Sequence, residues 1–351
     1  MARPFGEGAP PSIPLTIIIP AYNEAKDIAD TIQSLQAQTA PPEEIIVVDD
    51  GSSDGTGEIA RALGVKVLRP AANTGSKAGA QNFALDAVQT PFVMAVDADT
   101  TLAPDAIECL AQAFDQPEVV AACGTVLPRR VASIWERGRY VEYLFAFTFY
   151  KRVQDYFGKP LISSGCFSMY RTDALRAHAG WPNRTLAEDM DLTWRFHRAR
   201  QSVRFVPDAL CYPIEPHDFA LMARQLRRWS HGFVQNLQAH GRGLLEVPYL
   251  RSAVAVGLWD ALVASVAYIV LLPLLAVVTG NLWWLLGYVI DAPAVLVPVL
   301  AGGVARGETR RALASFPSFF VLRLVNALFF LEAVWSELIT RRSLRVYEKG
   351  H

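Results

Sequence analysis

The stretch Phe92-Val93-Met94-Ala95-Val96-Asp97-Ala98-Asp99 is a short apolar run that ends in two aspartates, one residue apart. An apolar run of this length is typical of a buried strand, and open α/β sheets bind ligands beyond the carboxyl ends of their strands. Carboxylate oxygens are ligands that Mg²⁺ and Mn²⁺ prefer. The stretch therefore predicts either a metal–diphosphate site at a strand end or, taken alone, a solvated turn.

Strand and helix patterns alternate around this stretch. Apolar, β-branched runs predict strands at 15–20, 44–50 and 65–68, and helical spacing predicts helices at 25–38, 58–63 and 78–88. This alternation favours an α/β fold with a mostly parallel sheet and right-handed crossovers. Because two of the strands end in acids, we expect Asp50 and the pair Asp97 and Asp99 to face one crevice.

That crevice has the features of a nucleotide site. Asp50 is placed to bind a base or a ribose, and Asp97 and Asp99 to hold a diphosphate through a metal ion. Lys77 follows the loop glycine Gly75 and can reach a phosphate as a point charge. The alternative for Lys77 is an ordinary surface lysine.

The composition argues against nucleic acid as a partner. The 351 residues carry a formal net charge of −1, so no overall positive field attracts a polyanion. Charged residues make up 19% of the chain, below the roughly 25% typical of soluble domains. The length allows about two domains. Four cysteines without CxxC spacing are expected to be reduced, buried and structural, and these are Cys109, Cys123, Cys166 and Cys211.

The apolar excess is concentrated after residue 252. The segments 253–279, 282–304 and 316–339 are each long enough to cross a bilayer, which takes about 20 residues. Basic residues cluster at 306–311 and again at 341–349, and the positive-inside rule places both clusters in the cytoplasm with the catalytic domain. Three complete passes do not allow that arrangement. Either the third segment is not a full span, or the C-terminus breaks the rule.

Two later motifs carry candidate chemistry. In Thr185-Leu186-Ala187-Glu188-Asp189-Met190-Asp191 the adjacent acids are expected to raise each other's pKa, which suits a general base; the alternative is an acidic helix start. Gln225, Arg228 and Trp229 share one face of a predicted helix, on which Trp229 offers a flat surface to a sugar ring. Arg224 and Arg227 beside them also fit a helix on an anionic membrane surface.

These motifs together resemble glycosyltransferase family 2 with the GT-A fold. The resemblance lies in 16–24, in 47–56, in Asp97-Ala98-Asp99, in Glu188-Asp189 and in Gln225-Leu226-Arg227-Arg228-Trp229. The last of these is similar to the Q-x-x-R-W motif of the membrane-bound processive synthases of cellulose, hyaluronan, chitin and poly-N-acetylglucosamine. The resemblance covers about 15–241 by motif and the remainder by hydropathy.

The resemblance implies a domain plan and a reaction. A lead-in at 1–14 precedes a GT-A domain at 15–245, a membrane region of two to three helices at 246–340 and a basic tail at 341–351. The expected activity is inverting, metal-dependent transfer of a sugar, best assigned as N-acetylglucosamine from its UDP donor, to a β-linked glycan. The catalytic domain is expected in the cytoplasm, at a cell (inner) membrane that the chain crosses more than once.

The resemblance also assigns roles to residues. Asp189 is the candidate base, with Glu188 beside it; Asp99 is the metal ligand, with Asp97 contacting metal or ribose and Mg²⁺ or Mn²⁺ as the ion. Gln225 and Trp229 are assigned to the acceptor. The nucleotide-sugar site is assigned to Pro20, Ala21, Tyr22, Glu24, Asp50, Lys77, Asp97 and Arg228. Family members commonly carry spanning helices ahead of the catalytic domain, so an additional membrane subunit is a further expected partner.

Some alternatives stay open on sequence alone. One is transfer of a single sugar to a lipid carrier, and another is a catalytically silent nucleotide-sugar sensor or export partner. The segment 162–171 predicts a strand after a small-residue loop that either contacts sugar or is structural. His217 and His231 either approach the metal or diphosphate or are structural. The aromatic segment 129–152 predicts a helix that lies at the membrane interface or packs in a core.

Overall fold

A single sheet of eight strands organises the N-terminal two thirds of the chain. The computed structural model describes residues 13–344. The strands are β1 (Ile13–Ala21), β2 (Pro42–Asp49), β3 (Lys66–Leu68), β4 (Phe92–Val96), β5 (Thr101–Leu102), β6 (Val119–Val126), β7 (Phe167–Arg171) and β8 (Ser202–Tyr212). Their order across the sheet is β3-β2-β1-β4-β7-β6-β8-β5. The predicted strands are confirmed, and β1 begins at Ile13, two residues before the expected domain start.

Helices alternate with the first strands and then continue alone. They are α1 (Ile28–Gln36), α2 (Thr56–Ala62), α3 (Lys77–Leu85), α4 (Ala106–Ala111), α5 (Ile134–Phe145), α6 (Lys151–Tyr156), α7 (Thr172–Ala177), α8 (Glu188–Arg198), α9 (Phe219–His240), α10 (Pro248–Leu258), α11 (Leu272–Thr279), α12 (Ala292–Ala305) and α13 (Thr309–Val334). Short 3₁₀ segments lie at Gln112–Asp115, Gly241–Glu246 and Leu282–Val289, and π-helical segments at Ala146–Tyr150, Trp259–Ala264, Ala267–Leu271 and Trp335–Ile339. Most of the expected lead-in (1–12) and of the expected basic tail (345–351) lies outside the described residues.

The strand directions bring the predicted site to one edge of the sheet. Strand β1 pairs in parallel with β2 on one side and with β4 on the other, with Ala21 opposite Asp49 and Ile18 opposite Ala95. The carboxyl ends of these three strands therefore meet. Strand β7 then runs antiparallel to both β4 and β6. The expected α/β fold with a mostly parallel sheet is confirmed.

Burial on both faces holds this sheet in place. Ile17 and Ile19 of β1 pack into one hydrophobic cluster, and Ile18 packs into a second cluster on the opposite face. A strand covered on both sides reads as a continuous β-branched run rather than an alternating pattern. The cysteines of the domain are unpaired; Cys123 and Cys211 are buried, whereas Cys109 and Cys166 are half-buried rather than buried as predicted.

Three apolar helical stretches follow the sheet. Pro248–Thr279, Leu282–Ala305 and Thr309–Ile339 are long and apolar enough to cross a membrane by length and composition. The first and third begin before their predicted starts at 253 and 316. The third stretch is α13 with the π-helical segment after it.

Helix α5 joins the sheet domain to these apolar helices. Tyr140, Val141 and Leu144 of α5 are buried in one cluster with Val299 of α12 and Ala312 of α13. Further along the same segment Phe147 is still buried, whereas Phe149 is 49% exposed. Core packing, one of the two alternatives for segment 129–152, is therefore confirmed for α5, and contact with a membrane interface stays a prediction.

Candidate active site

A cavity of about 600 Å³ opens at the carboxyl edge of β1, β2 and β4. This volume is in the range of small-molecule sites, about 300–1,000 Å³. The predicted nucleotide-sugar and metal residues other than Arg228 all line it, namely Pro20, Ala21, Tyr22, Glu24, Asp50, Lys77, Asp97 and Asp99. The structure thus gathers residues up to 79 positions apart into one pocket.

The rim of the cavity is built by two loops that hydrogen-bond to each other. After β1 the backbone amide of Asn23 donates to Ser52 Oγ (3.0 Å), and that of Glu24 donates to Thr56 Oγ1 (2.8 Å). Asn23 itself has a positive φ of 57°, a conformation that asparagine tolerates better than most residues. These bonds fix the direction in which the chain leaves β1.

Asp50 organises the opposite wall. Its Oδ1 accepts a hydrogen bond from the Thr74 amide and its Oδ2 one from Thr74 Oγ1, both at 2.8 Å. The carboxylate therefore holds the loop that leads into α3. Contact of Asp50 with a base or ribose stays a prediction, and such a contact would use the remaining lone pairs of a carboxylate that is already engaged.

Lys77 connects the strand edge to the predicted acid pair. Its side chain is 10% exposed, forms an ion pair with Asp97 and lies 3.8 Å from Glu188 Oε1. Its Nζ also donates to the carbonyl of Gly165 (3.0 Å). Lys77 begins α3, where the capping residue Ser76 accepts from the Gly79 amide. The alternative of an ordinary surface lysine is therefore wrong.

Asp97 and Asp99 form the acidic part of the cavity. Asp99 is buried, and Thr100 Oγ1 donates to its Oδ1 (3.0 Å). Burial raises the pKa of Asp97, and the negative charge of Asp99 adds to this effect, whereas Lys77 opposes it. A bound cation would relieve the repulsion between the two carboxylates.

The donor set fits a cation that is shared with a substrate. Within residues 13–344, no group of three or more His, Cys, Asp or Glu side chains is arranged to hold a metal. Asp97 and Asp99 can supply two hard oxygen ligands. Mg²⁺ in such sites keeps water and takes further oxygens from substrate phosphates. The residues present therefore fit an ion bound between protein and diphosphate, with no all-protein cage.

Glu188 and Asp189 begin α8 on the far side of Lys77. Asp189 Oδ2 accepts from the Gly165 amide (2.9 Å), and its Oδ1 accepts from the Met190 amide (2.8 Å). Glu188 is buried; burial raises the pKa of Glu188, with Asp189 adding to the rise and Lys77 opposing it. The upward pKa shift predicted for an acid of this pair is therefore present at Glu188.

Gly165 is a site residue that the sequence did not single out. A Cβ at this position would lie 3.1 Å from Asp189 Oδ2 and 3.2 Å from Lys77 Nζ. The backbone of the loop before β7 therefore approaches the candidate base and the lysine more closely than a side chain permits. The small-residue run Ser163-Ser164-Gly165 was the available signal, and of its two readings the structure favours a place at the site.

Helix α9 brings the Q-x-x-R-W residues to the same region. Burial raises the pKa of Asp97 and of Glu188, and the positive charge of Arg228 opposes both rises. Gln225 is buried, and its Oε1 accepts from Arg139 Nη2 (2.6 Å). Its assignment to the acceptor stays a prediction, because its carbonyl is already bonded to the protein.

Two other basic residues of α9 are more exposed than Arg228. Arg224 and Arg227 are exposed, and Arg227 Nη2 lies 2.7 Å from Glu332 of α13. Arg228 is half-buried; it follows Arg227 directly and lies one turn after Arg224 on the same face of the helix. The membrane-surface reading of Arg224 and Arg227 and the site reading of Arg228 stay predictions.

The two histidines weighed as candidate ligands lie elsewhere. His231 Nδ1 is 2.7 Å from Glu337 Oε1, in a buried contact between α9 and the segment after α13. His217 is 63% exposed and lies 3.7 Å from Asp218. Neither lines the cavity, so the structural reading holds for His231, and His217 is a surface residue.

Glu215 is a second residue that the sequence analysis missed. It is buried between two prolines in the loop before α9, and Tyr143 donates a hydrogen bond to its Oε1 (2.8 Å). Burial raises the pKa of Glu215 to about 7; Arg139 and Tyr143 oppose the rise and Asp99 adds to it. An ionisable residue in an apolar context was the signal available in the sequence.

Part of the chain matches the profile of a known family. The profile described as Glycosyl transferase family 2 matches residues 16–178. A poly-beta-1,6-N-acetyl-D-glucosamine synthase of Staphylococcus epidermidis is 29% identical over 223 residues, which cover 62% of this chain and 54% of that protein. The enzyme of the same name from Staphylococcus aureus strain COL is 27% identical over 222 residues. The chain spans about half the length of these curated relatives.

Solved structures share the fold. The mannosyltransferase PcManGT of Pyrobaculum calidifontis, in complex with GDP-Man and Mn²⁺, aligns with a TM-score of 0.61 at 19% identity, over 95% of this chain and 91% of that one. The S. aureus TarS fragment 1-349 in complex with UDP aligns with a TM-score of 0.50 at 18% identity, over 88% and 90%. At these identities the likeness concerns the fold alone, and it confirms the expected GT-A architecture.

Proposed function

We propose, on the premise that residues 16–178 place this chain in glycosyl transferase family 2, that it transfers N-acetylglucosamine from UDP-N-acetylglucosamine to a growing β-linked glycan at a membrane. The observation that carries this proposal is the position of Lys77 between the acids of the strand-edge cavity and the acid pair that begins α8. The lysine pairs with Asp97 of the strand-edge cavity on one side and lies 3.8 Å from Glu188 on the other.

The reaction is a single displacement. The acceptor hydroxyl oxygen forms a bond to the anomeric carbon while the bond from that carbon to the diphosphate oxygen breaks, and its electron pair leaves with UDP. The hydroxyl proton passes to the carboxylate of Asp189, which acts as general base. Attack from the face opposite the leaving group inverts the anomeric configuration.

The protein's own cations stabilise the leaving diphosphate. Lys77 and Arg228 are placed to clamp its developing negative charge, as preorganised cations do in group transfer. Asp97 and Asp99 would hold a Mg²⁺ or Mn²⁺ ion there, and the ion would supply Lewis-acid neutralisation of the diphosphate. The rim residues Pro20, Ala21, Tyr22 and Glu24, with Asp50, would position the nucleoside.

The donor and product are assigned from the relatives. The matched proteins are named poly-beta-1,6-N-acetyl-D-glucosamine synthases, which supports this sugar and a polymeric product. Trp229, half-exposed on α9, would support the terminal sugar of the acceptor through ring stacking. The domain bounds proposed are 15–245 for catalysis and 246–340 for the membrane region, with the catalytic domain in the cytoplasm.

One experiment tests the donor, the acceptor and the reaction together. The full chain, purified in detergent with Mg²⁺ or Mn²⁺, is incubated with a panel of radiolabelled UDP- and GDP-sugars, with a soluble β-1,6-linked N-acetylglucosamine oligomer as acceptor, and the products are sized. We expect a ladder of lengthened products from UDP-N-acetylglucosamine, and its loss when a chelator removes the divalent ion.

The alternatives give different products. A single sugar attached to lipid would contradict the proposal in favour of transfer to a lipid carrier. Binding of a nucleotide sugar without turnover would indicate a sensor or an export partner. The Asp99→Asn variant serves as a control for the role of the divalent ion. It keeps the size of the side chain and removes the charge of one proposed metal ligand.

A further inference from the structure

Arg139, on α5, is a buried cation that the proposed chemistry does not use. Its side chain is fully buried, so it needs partners that replace its lost hydration. Its Nη1 lies 2.5 Å from Glu142 Oε2, and its Nε lies 3.4 Å from Glu215 Oε2. The two carboxylates keep the guanidinium charged inside the domain.

Further contacts of Arg139 reach α9. Its Nη2 donates to Gln225 Oε1 (2.6 Å), and its Cζ lies 4.5 Å from the ring centroid of Trp229, which is cation–π distance. Gln225 and Trp229 are four residues apart on α9 and so share a face. One guanidinium therefore holds both side chains that are assigned to the acceptor.

The same helix directs Arg228 elsewhere. The charge of Arg228 acts on Asp97 and Glu188, whereas Arg139 is absent from the lining of the cavity that those acids share. The Q-x-x-R-W motif therefore involves two different cations. Its own Arg228 acts on Asp97 and Glu188, whereas its Trp229 packs against Arg139 of α5.

We infer that Arg139 is a positioning residue for the acceptor, which fixes the ring of Trp229 and is itself fixed by Glu215. This inference rests on the proposed function, because it takes Trp229 as the acceptor support. Glu215 is anchored in turn by Tyr143, one turn after Arg139 on α5 (2.8 Å). Helix α5 therefore supplies both groups that hold Glu215, and through Arg139 it determines where the acceptor sugar is received.

The chain offers a matched control in Arg171. This arginine also lies over aromatic rings, with Cζ 5.4 Å from the centroid of Phe92, and it donates to the Val119 carbonyl (2.8 Å). It ends β7 at the edge of the sheet opposite the cavity, next to the beginning of β4. Arg171→Lys therefore tests the general cost of losing a stacked guanidinium in this fold.

The experiment compares Michaelis constants for acceptor and donor. Lysine keeps the charge at position 139, but its single ammonium cannot bond Gln225 and cover the Trp229 ring together. We expect Arg139→Lys to raise the KM for the β-1,6-linked oligomer by about tenfold or more, since small misplacements of a substrate are costly. The KM for UDP-N-acetylglucosamine and the Kd for UDP should change by less than about twofold, as they should in Arg171→Lys.

A second variant keeps the inference testable if Arg139→Lys does not fold. Glu215→Gln retains an acceptor for Tyr143 but removes one of the two counter-ions of Arg139, so it should also raise the acceptor KM. An unchanged acceptor KM in the folded variants, or an equal rise in both Michaelis constants, would overturn the inference.

Failure of the proposed function is recognised separately, in the unsubstituted chain. If that chain transfers a different sugar or uses a different acceptor, the variants are compared on the pair that the panel identifies. If it transfers no sugar to any acceptor, both the proposed function and this inference are contradicted.

Discussion

Asp189 and Asp191 are two acids on one helical turn with different predicted consequences of substitution. Asp189→Asn keeps an oxygen that accepts from the Gly165 amide but removes the proposed base, so we expect transfer to fall by ~10²–10⁴-fold while UDP binding survives. Turnover measured by product formation, beside a UDP binding isotherm, checks this. Undiminished turnover would remove Asp189 from the role of base.

Asp191→Asn is the contrasting variant. Burial opposes the ionisation of Asp191, but hydrogen bonds from Arg184 and His240 hold its pKa well below the usual range. The side chain is fully buried in this network. We therefore expect a lowered Tm from Asp191→Asn, and an effect on activity only to the extent that the fold is weakened.

Gly165 provides a second test at single-residue scale. In Gly165→Ala the new methyl group must displace Asp189 Oδ2 or Lys77 Nζ, which lie 3.1 and 3.2 Å from its position. We expect kcat to fall by roughly tenfold or more, because displacements below 1 Å at a catalytic carboxylate are costly.

The control for this substitution is Gly257→Ala. The nearest atom to a Cβ at Gly257 is 3.9 Å away, at Phe233, so the helix accepts the methyl group without displacement. Its kcat should match that of the unsubstituted chain. Equal kcat values in both alanine variants would show that the loop before β7 adapts freely and that its close approach is not needed for transfer.

His197 predicts a pH dependence of stability. Burial lowers its pKa from 6.5 to about 4, and its Nε2 lies 2.8 Å from the Pro160 carbonyl. The unfolded chain therefore takes up this proton near pH 6.5 and the folded chain only near pH 4. Stability is fully present above pH 6.5 and falls as the pH drops from 6.5 toward 4, by about 3 kcal/mol at most.

Thermal unfolding of the detergent-solubilised chain between pH 7 and pH 4 measures this effect. His197→Gln places a neutral amide near the Pro160 carbonyl, so its Tm should change less over that range. A Tm that falls by the same amount in both proteins would assign the pH dependence to other groups.

The site residues that could be predicted from sequence are those that directly follow a predicted strand, because the strand order determines which of them lie close together. Asp97, Asp99 and Asp50 were placed correctly at one edge, because parallel strands bring their carboxyl ends together whatever the rest of the chain does. The contacts of Gly165 and Arg139 are made with residues 24 and 86 positions away, respectively. No local pattern encodes such pairings; the small-residue run at 163–165 indicates only that the loop could lie at the site, and nothing in the sequence around Arg139 indicates its partners.

At the scale of elements, the position of α8 depends on α9. A Cβ at Gly232 of α9 would lie 2.8 Å from Ala187 Cβ and 3.0 Å from its amide nitrogen, and Asn236 donates to the Ala187 carbonyl (3.0 Å). Ala187 directly precedes Glu188. The two helices therefore touch through their backbones at the residue that sets the start of the acid pair.

Gly232→Ala is expected to shift the start of α8 and so to reduce kcat. Crowding a packed contact typically costs about 1–3 kcal/mol, so some loss of Tm should accompany the loss of activity. UDP binding should change less than kcat, because the residues that line the cavity beyond β1 and β2 come from other elements and Arg228 is the one α9 residue assigned to the diphosphate. Measuring kcat and UDP affinity separates the two effects, again beside Gly257→Ala.

If Gly232→Ala weakened UDP binding as much as kcat, the displacement would extend to the strand edge and α8 would not move alone. An unchanged kcat would show that α9 can move away from α8 without displacing Glu188 and Asp189. The sequence predicts α9 as a helix and offers a helix start at Glu188 only as the alternative to a catalytic pair, and the structure shows that start. The contact between α8 and α9 depends on a glycine whose neighbour lies 45 positions earlier, and no local pattern indicates it.

At the scale of the whole molecule, the contacts of the third apolar stretch bear on the number of membrane crossings. Three complete passes would separate the two basic clusters, which the positive-inside rule places on one side. Tyr140 of α5 donates to Glu308, which directly precedes α13 (2.6 Å). At the other end of the third stretch, Gln235 of α9 donates to the Leu344 carbonyl (2.9 Å). Both ends of that stretch therefore contact helices of the catalytic domain.

The middle of α13 follows the same course. A Cβ at Gly138 of α5 would lie 2.9 Å from the Ser318 carbonyl oxygen, so the two helices pack with their backbones close together. Arg227 of α9 meets Glu332 further along. A helix that lies against the domain over its length keeps both of its ends on the domain's side, although its length and composition would allow it to cross a bilayer.

We therefore expect two crossings, by Pro248–Thr279 and Leu282–Ala305, with α13 along the membrane face of the catalytic domain. The basic clusters at 306–311 and 341–349 then lie on one side, as the positive-inside rule requires. Single cysteines introduced by Asn281→Cys, Arg310→Cys and Arg341→Cys, in a chain whose four native cysteines are replaced, are labelled with a membrane-impermeant maleimide. Positions 310 and 341 should react alike in intact cells and 281 oppositely, whereas all three should react in permeabilised cells. Opposite labelling of 310 and 341 would mean that the third stretch crosses the bilayer and that the contacts of α13 with α5 and α9 do not persist in the membrane.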